Sequence, residues 1–244
     1  MFDRVEYKRI AKKQLKGRWR TPILATLIVL AITLIICAPE AIKTIKEQQG
    51  IDTGVPTYVG LIPELIMIGI MGILELAYTK LFLDLWKTRA PLPFSSFLSA
   101  FSLWLKGVLG MLWMYLWVFL WACLFIIPGI VKAYAYSQMF FILAENPKIG
   151  VRKAMRLSKE ITRGYKGDLF VMDLSFLGWL LLSPFTLYIL FLYVVPYMQM
   201  SKTNAYKMLK AMAIKAGRIS ADDFGETAEP EKTDEGAPAA EQEA

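Results

Sequence analysis

Four ionisable residues lie inside long apolar stretches of the chain: Glu64, Glu75, Lys132 and Asp173. Glu64 and Glu75 are eleven positions apart, about three helical turns, so one face of a helix would carry both. A charge in the middle of a bilayer costs about 3 kcal/mol or more, so such residues mark ion pathways, proton relays or internal ion pairs. We treat these four residues as a candidate intramembrane polar network.

Two interpretations of this network remain open. Glu75 and Asp173 are expected at matching depths near the inner ends of their helices, where two carboxylates can bind a cation or pass a proton. Glu64 and Lys132 are expected at a similar outer depth, where they can form an ion pair, or reach the interface separately. We favour structural pairing, because transport folds usually place more polar groups and broken helices near the membrane midplane.

The residues that many other chemistries require are missing from this sequence. There is no His, and the two cysteines, Cys37 and Cys123, each lie in an apolar run. A zinc site, a disulfide framework and His-dependent catalysis are therefore not expected. No phosphate-binding glycine loop or nucleophile elbow occurs either. The sequence predicts no enzyme activity, no catalytic residue, no cofactor and no metal.

Hydrophobicity and charge together indicate a membrane environment. Of the 244 residues, 56% are hydrophobic, and the mean hydropathy is +0.43. The last 25 residues hold nine Asp and Glu and one Lys, which leaves 27 basic against 12 acidic residues elsewhere, a net charge of +15. An apolar and basic chain favours a bilayer with anionic headgroups at its cytoplasmic face over a nucleic acid. Any protein partner is left open.

Six membrane-spanning helices are predicted, because about 20 apolar residues cross a hydrocarbon core of roughly 30 Å. The uncharged run that begins at Gly107 is too long for one crossing, and Pro128 and Gly129 are expected to divide it. The run after Asp173 is long enough for one tilted helix or for a hairpin that turns near Pro184. The predicted spans are 21–39, 59–83, 107–127, 130–146, 169–183 and 185–201.

The distribution of Lys and Arg predicts the orientation of these spans, because basic residues concentrate in cytoplasmic segments near the membrane. Basic residues are dense before residue 21, in 145–168 and after Ser201, and sparse in 40–58. Two crossings for 169–201 satisfy this pattern. We therefore predict an all-α polytopic protein of the plasma or inner membrane, with three helical hairpins and both termini in the cytoplasm. Only the loop 40–58 would project far outward.

Three parts of the chain are distinguished by composition. Residues 1–20 interleave apolar and basic side chains, as in an amphipathic helix of the headgroup layer or a solvated arm. Residues 21–219 form the predicted six-helix membrane domain. Residues 220–244 are acidic, with too few apolar side chains to offset the entropy of ordering, so a disordered tail is expected. A cleaved signal peptide is disfavoured, because the first apolar run is long and no small-residue cleavage site follows it.

A tryptophan stripe and two glycine pairs indicate surfaces where helices pack. Trp113, Trp117 and Trp121 recur at a spacing of four, which favours a bulky face against neighbouring helices or lipid over a ligand platform. Two glycine pairs, Gly69 with Gly72 and Gly107 with Gly110, would permit close approach between helices.

Several stretches resemble a family of bacterial integral membrane proteins known as domain of unknown function 975. That family is distantly similar to the membrane domains of some glycerophosphodiester phosphodiesterases. The resemblance implies a multi-pass helical protein of bacterial cell membranes, and it brings no established activity and no catalytic residue. The stretches are AKKQLKGRW from Ala11, PGIVKAYAYSQMFFILAENP from Pro128, SKEITRGYKGDLF from Ser158, LSFLGWLLL from Leu174 and PYMQMSKTNAY from Pro196.

Three functions are therefore carried forward. The leading one is a non-enzymatic multi-pass membrane protein with a membrane-organising or partner-binding role. The second is a small transporter or permeation protein for a cation or proton, which would use Glu75 and Asp173. The third, a membrane module that works with a lipid-related enzyme, rests on family analogy alone.

Overall fold

The structure, a computed structural model, describes residues 2–50, 57–88, 90–186 and 188–224, with the side chains of 57–63, Glu40 and Glu47 left out. Within these ranges the chain is all-helical and has no strand. The helices are α1 (Arg4–Leu15), α2 (Arg20–Gln48), α3 (Thr57–Lys87), α4 (Ser95–Ser99), α5 (Trp104–Leu124), α6 (Ile126–Tyr136), α7 (Met139–Glu145), α8 (Val151–Ile161), α9 (Lys166–Leu182) and α10 (Ile189–Lys215). Short 3₁₀ turns occupy Ala100–Leu103, Pro184–Thr186 and Ala221–Phe224.

Four helical segments of the described chain are long and apolar enough to cross a membrane. They correspond to the first four predicted spans. The remaining predicted hairpin combines a short and a long helix: α9 has 17 residues and measures about 26 Å, whereas α10 has 27. Its turn reaches Tyr188, whose φ of 62° lies in the left-handed region that usually favours glycine. The four segments are Arg20–Lys46, Glu64–Lys87, Ser95–Leu124 and Ile126–Glu145.

Helix α3 lies at the centre and contacts α2, α5, α7 and α10. The hydroxyls of Thr26 on α2 and Tyr78 on α3 are hydrogen-bonded at 2.7 Å. Along another face of α3, Gly72 faces Gly107 of α5, and a Cβ added to Gly107 would lie 2.7 Å from the Gly72 carbonyl oxygen. Close backbone approach at this crossing therefore depends on both glycines, as the glycine pairs predicted.

The turn between α5 and α6 is centred on Phe125, which is extended at φ −157° and ψ 140°. The predicted break at Pro128 is therefore placed too late. Pro128 lies in the first turn of α6, where a missing N–H is harmless because the first N–H groups of a helix have no intrahelical acceptor. Gly129 packs against Ala122, whose Cα would lie 2.9 Å from an added Cβ.

The predicted fourth span is two helices rather than one, because α6 and α7 are separated at Ser137 and Gln138. The Ser158 hydroxyl of α8 occupies this break. It donates to the Ala135 carbonyl at 2.8 Å and accepts from the Gln138 N–H at 3.2 Å. A polar side chain from outside the span thus satisfies the backbone groups that the break leaves open.

The apolar face of α1 is covered by protein. Tyr7, Ala11 and Leu15 are each no more than 4% exposed, and the Asn204 side chain of α10 donates to the Tyr7 carbonyl at 3.3 Å. Helix α1 is therefore not a free arm, and the face formed by Tyr7, Ala11 and Leu15 meets protein rather than lipid. The covering surface is α10 with the adjacent core of α2 and α3, whereas Val5 of the same helix is 68% exposed.

The C-terminal segment folds back over α8. Arg218 donates to the carbonyls of Glu160 and Arg163 at 3.0 and 2.8 Å, and Phe224 is 1% exposed. The predicted tail boundary at residue 220 is therefore too early, and 225–244 lie outside the described residues.

The predicted outward loop 40–58 is also shortened, since α2 continues to Gln48. Residues 51–56 are not described.

Replacing Gly72 by Ala is expected to weaken the crossing of α3 and α5, because the added Cβ would lie 2.6 Å from Met111 Cβ and would overlap the Gly107 carbonyl. Overpacking of this kind costs about 1–3 kcal/mol. Thermal unfolding in detergent checks it. Gly69→Ala is the matched control, because its Cβ would make an ordinary 3.4 Å contact with Val108. Equal melting temperatures for the two variants would contradict the tight crossing.

Candidate functional site

The structure brings two of the four predicted polar residues together and separates the others. Glu75 of α3 and Asp173 of α9 line one small cavity of about 80 Å³. Glu64 is exposed on α3. Lys132 of α6 lies with its Nζ 4.4 Å from the centre of the Trp121 ring. Among the described residues, no ion pair joins Glu64 to Lys132.

A third charged residue, Lys202 of α10, completes the cluster. Its Nζ lies 3.1 Å from Asp173 Oδ1, and both side chains are about 30% exposed. The Tyr134 hydroxyl of α6 donates to Asp173 Oδ2 at 3.2 Å. Asp173 therefore links α9 to both α10 and α6.

Glu75 has weaker direct partners. The Thr79 hydroxyl, one turn further along α3, donates to Glu75 Oε1 at 3.4 Å. The Gln199 side chain of α10 donates to Thr79 Oγ1 at 3.2 Å. Lys202 is the cation whose charge acts on Glu75. Lys202 therefore pairs with Asp173 and lines the same cavity as Glu75.

Sequence reasoning missed Lys202 because this residue directly follows the uncharged run 174–201 and was counted with the cytoplasmic basic residues. Helix α10 continues without interruption past Ser201 to Lys215, so Lys202 remains on a packed helix. Gln199 lies one turn before Lys202, and this polar pair was the available indication that the helix carries a polar face.

The charges around the site do not balance when all groups are ionised. Glu75 and Asp173 contribute two negative charges, and Lys202 is the one cation among the described residues that line the cavity. A net negative charge away from water is unfavourable unless it binds a proton or a cation. The cluster therefore has the capacity for one additional positive charge.

An unsatisfied acceptor supports the same conclusion. Gln138 lines the small cavity and is 3% exposed. Its Nε2 donates to Ser137 Oγ at 2.9 Å, whereas its Oε1 has no hydrogen-bond partner among the described residues. A ligand that donates hydrogen bonds would satisfy this oxygen.

A larger and mostly apolar cavity of about 570 Å³ adjoins the small one. The two cavities share Glu75, Tyr134, Ser137 and Asp173 as lining residues. This volume lies in the range of small-molecule sites, which typically combine apolar walls with a few convergent polar groups. The apolar part of the wall comes mainly from α5 and α7, through Met111, Met114, Val118 and Phe140.

The chemistry available here is recognition of a positive charge. The polar wall presents carboxylate and amide oxygens, and the described residues include no group of three His, Cys, Asp or Glu that could hold a metal ion. An ammonium group, a proton or a single monovalent cation matches these acceptors.

Replacing Lys202 by Met is expected to destabilise the protein, because two carboxylates would then face each other without a cation. A loss of about 1–3 kcal/mol is expected, between the values for exposed and buried pairs. Unfolding in detergent measures it, with Lys215→Met at the exposed end of α10 as control. The double variant Lys202→Met/Asp173→Asn should recover part of the loss. A double variant less stable than Lys202→Met would contradict the pairing of Lys202 with Asp173.

Comparison with known proteins identifies a family to which this chain is similar, without a match to an individual curated protein or solved structure. The chain matches the family described as "Protein of unknown function (DUF975)" over residues 1–133 and 123–213. No curated protein and no solved structure matches it. The match confirms the family predicted from the sequence, while the similarity to glycerophosphodiester phosphodiesterase membrane domains stays a prediction. The chain belongs to the DUF975 family.

Proposed function

We propose that this chain is a non-enzymatic, multi-pass protein of the bacterial cell membrane that binds an amphiphile with a positively charged head. The observation that carries the proposal is an apolar cavity that ends on two carboxylates, Glu75 and Asp173, of which Asp173 is paired with the Lys202 ammonium. The partner in the proposed partner-binding role is therefore a cationic amphiphile.

The apolar surface supports the placement in a membrane. Large side chains of α2 and α5 are turned outward, among them Leu34, Ile35, Leu116 and Leu120, which are 47–72% exposed. A soluble monomer rarely leaves contiguous apolar surface of this extent in water. Hydrocarbon would cover it along the four long apolar segments.

Six crossings with both termini in the cytoplasm remain part of this proposal. The α9–α10 hairpin supports the last two, because its turn is apolar: Phe185 is 85% and Ile189 70% exposed. The basic residues on either side of this hairpin favour the cytoplasm for both of its ends.

Cysteine accessibility tests this topology. In a background with Cys37→Ala and Cys123→Ala, a cysteine replacing Phe185 at the turn is expected to react with a membrane-impermeant maleimide added outside intact cells. A cysteine replacing the exposed Ser220 is the control and should react only after lysis. If the Phe185 replacement also requires lysis, the hairpin does not cross, and four spans remain.

Two properties of the cavity define the proposed ligand. Its polar end consists of acceptors with one negative charge in excess, which selects a donor that carries a positive charge. Its apolar walls bury hydrocarbon, at about 25 cal/mol for each Å² removed from water. A long-chain primary amine combines both properties.

Dodecylamine binding tests the proposal, with dodecanol as the uncharged control of equal chain length. The purified protein is expected to bind dodecylamine more tightly, as measured by calorimetry in detergent. Glu75→Gln is expected to weaken amine binding about tenfold, equivalent to about 1.4 kcal/mol, and to leave dodecanol unchanged. Glu64→Gln, on the exposed part of α3, is the matched control. Equal affinity for amine and alcohol, or an unaffected Glu75→Gln variant, would overturn the proposal.

Permeation of a proton or cation is the second candidate, and the small polar cavity next to the amphiphile cavity favours it. Proteoliposomes with a trapped pH dye or sodium dye distinguish the two. A ligand-binding protein without permeation is expected to give no flux. Flux that disappears in both Glu75→Gln and Asp173→Asn would establish the second candidate instead.

A further inference from the structure

The tryptophan stripe of α5 forms one wall of a separate groove. Trp113, Trp117 and Trp121 line a cavity of about 290 Å³, together with residues of α6 and α8. This groove shares no lining residue with the cavities around Glu75. The stripe therefore faces this groove, while Trp113 also packs against the hydrophobic core.

Four cations converge on this groove. Lys132 comes from α6, and Arg152, Arg156 and Lys159 come from α8. The three residues of α8 follow a spacing of four and three, which places them on one face of the helix. The apolar face of α8 is buried, with Ala154, Leu157 and Ile161 each no more than 5% exposed. Packing of α8 on the core thus turns its basic face toward the tryptophans.

The cations lie close to the aromatic rings. Arg152 Cζ is 5.0 Å from the centre of the Trp113 ring, and Lys132 Nζ is 4.4 Å from that of Trp121. Lys159 Nζ is 5.5 Å from the centre of the Tyr136 ring. Cation–π contacts orient these groups, but an aromatic ring does not neutralise their positive charge.

No carboxylate lines this groove within the described part of the chain. Asp223 pairs with Lys153 at 3.3 Å, and its charge also acts on Arg156. Glu160 of α8 pairs with Arg163. Four positive charges in one groove repel each other, and an anion relieves that repulsion.

The groove also borders apolar surface that suits acyl chains. On the same helix as the tryptophans, Leu116, Phe119 and Leu120 are 47–65% exposed. Arg binds phosphate through two parallel hydrogen bonds, and Trp prefers the boundary between hydrocarbon and headgroups. We propose that this groove binds the phosphate headgroup of an anionic phospholipid, whose chains lie along the outer face of α5.

Native mass spectrometry of the detergent-purified protein tests this site, with phosphatidylglycerol and phosphatidylcholine added in equal amounts. The wild type is expected to retain phosphatidylglycerol about tenfold in preference, a difference of about 1.4 kcal/mol. Arg152→Gln/Arg156→Gln should abolish the preference. The charge-matched control Lys12→Gln/Lys215→Gln, at two exposed positions, should keep it.

Three results would overturn the proposal. Equal retention of both lipids by the wild type would exclude headgroup selection. Equal loss in the control variant would show that net charge alone attracts the lipid. Displacement of phosphatidylglycerol by inorganic phosphate at similar concentration would indicate a site for a soluble anion. A melting temperature for Arg152→Gln/Arg156→Gln equal to that of the control ensures that a loss reflects the groove rather than unfolding.

Discussion

The ion pair of Lys202 with Asp173, on the wall of the cavity that Glu75 also lines, is the interaction on which the arrangement of the polar interior depends. The pair joins α10 to α9, Tyr134 adds α6 through its hydrogen bond to Asp173, and Glu75 of α3 lines the same cavity. Charges are stable away from water only when they are paired and hydrogen-bonded. One ammonium for two carboxylates meets this requirement in part, and under the proposed function the remaining negative charge selects a cationic ligand for the adjoining cavity.

Part of this site was predictable from the sequence. Glu75 and Asp173 interrupt apolar runs, and their expected depths matched, which agrees with their position around one cavity. Lys202 was not found because a helix boundary was assumed where the charges begin, whereas α10 continues beyond it. The expected pairing of Glu64 with Lys132 is absent between these described residues, because Lys132 lies over Trp121 instead. The direction of a side chain around its helix axis, which decides such a pairing, could not be predicted from hydrophobic patterns alone.

In the fold as well, features set by local sequence were predictable and features set by tertiary contacts were not. Apolar runs of about 20 residues located the long helices, because hydrophobic length is a local property of the chain. Helix breaks were harder to place, because tertiary contacts decide them. The Ser158 hydroxyl satisfies the break between α6 and α7 from 20 residues away, and Gly129 is held against Ala122 rather than forming the turn itself. The covering of α1 by α10 depends equally on contacts between distant parts of the sequence.

Infrared difference spectroscopy tests the central claim most directly, with the protein in phosphatidylcholine bilayers before and after addition of dodecylamine. Carboxyl and carboxylate stretching bands report which acids change their environment. The account predicts that the amine alters these bands in the wild type and that the change disappears in Glu75→Gln/Asp173→Asn. Bands that do not change, or that change equally in this variant, would contradict the two carboxylates as the site of positive charge.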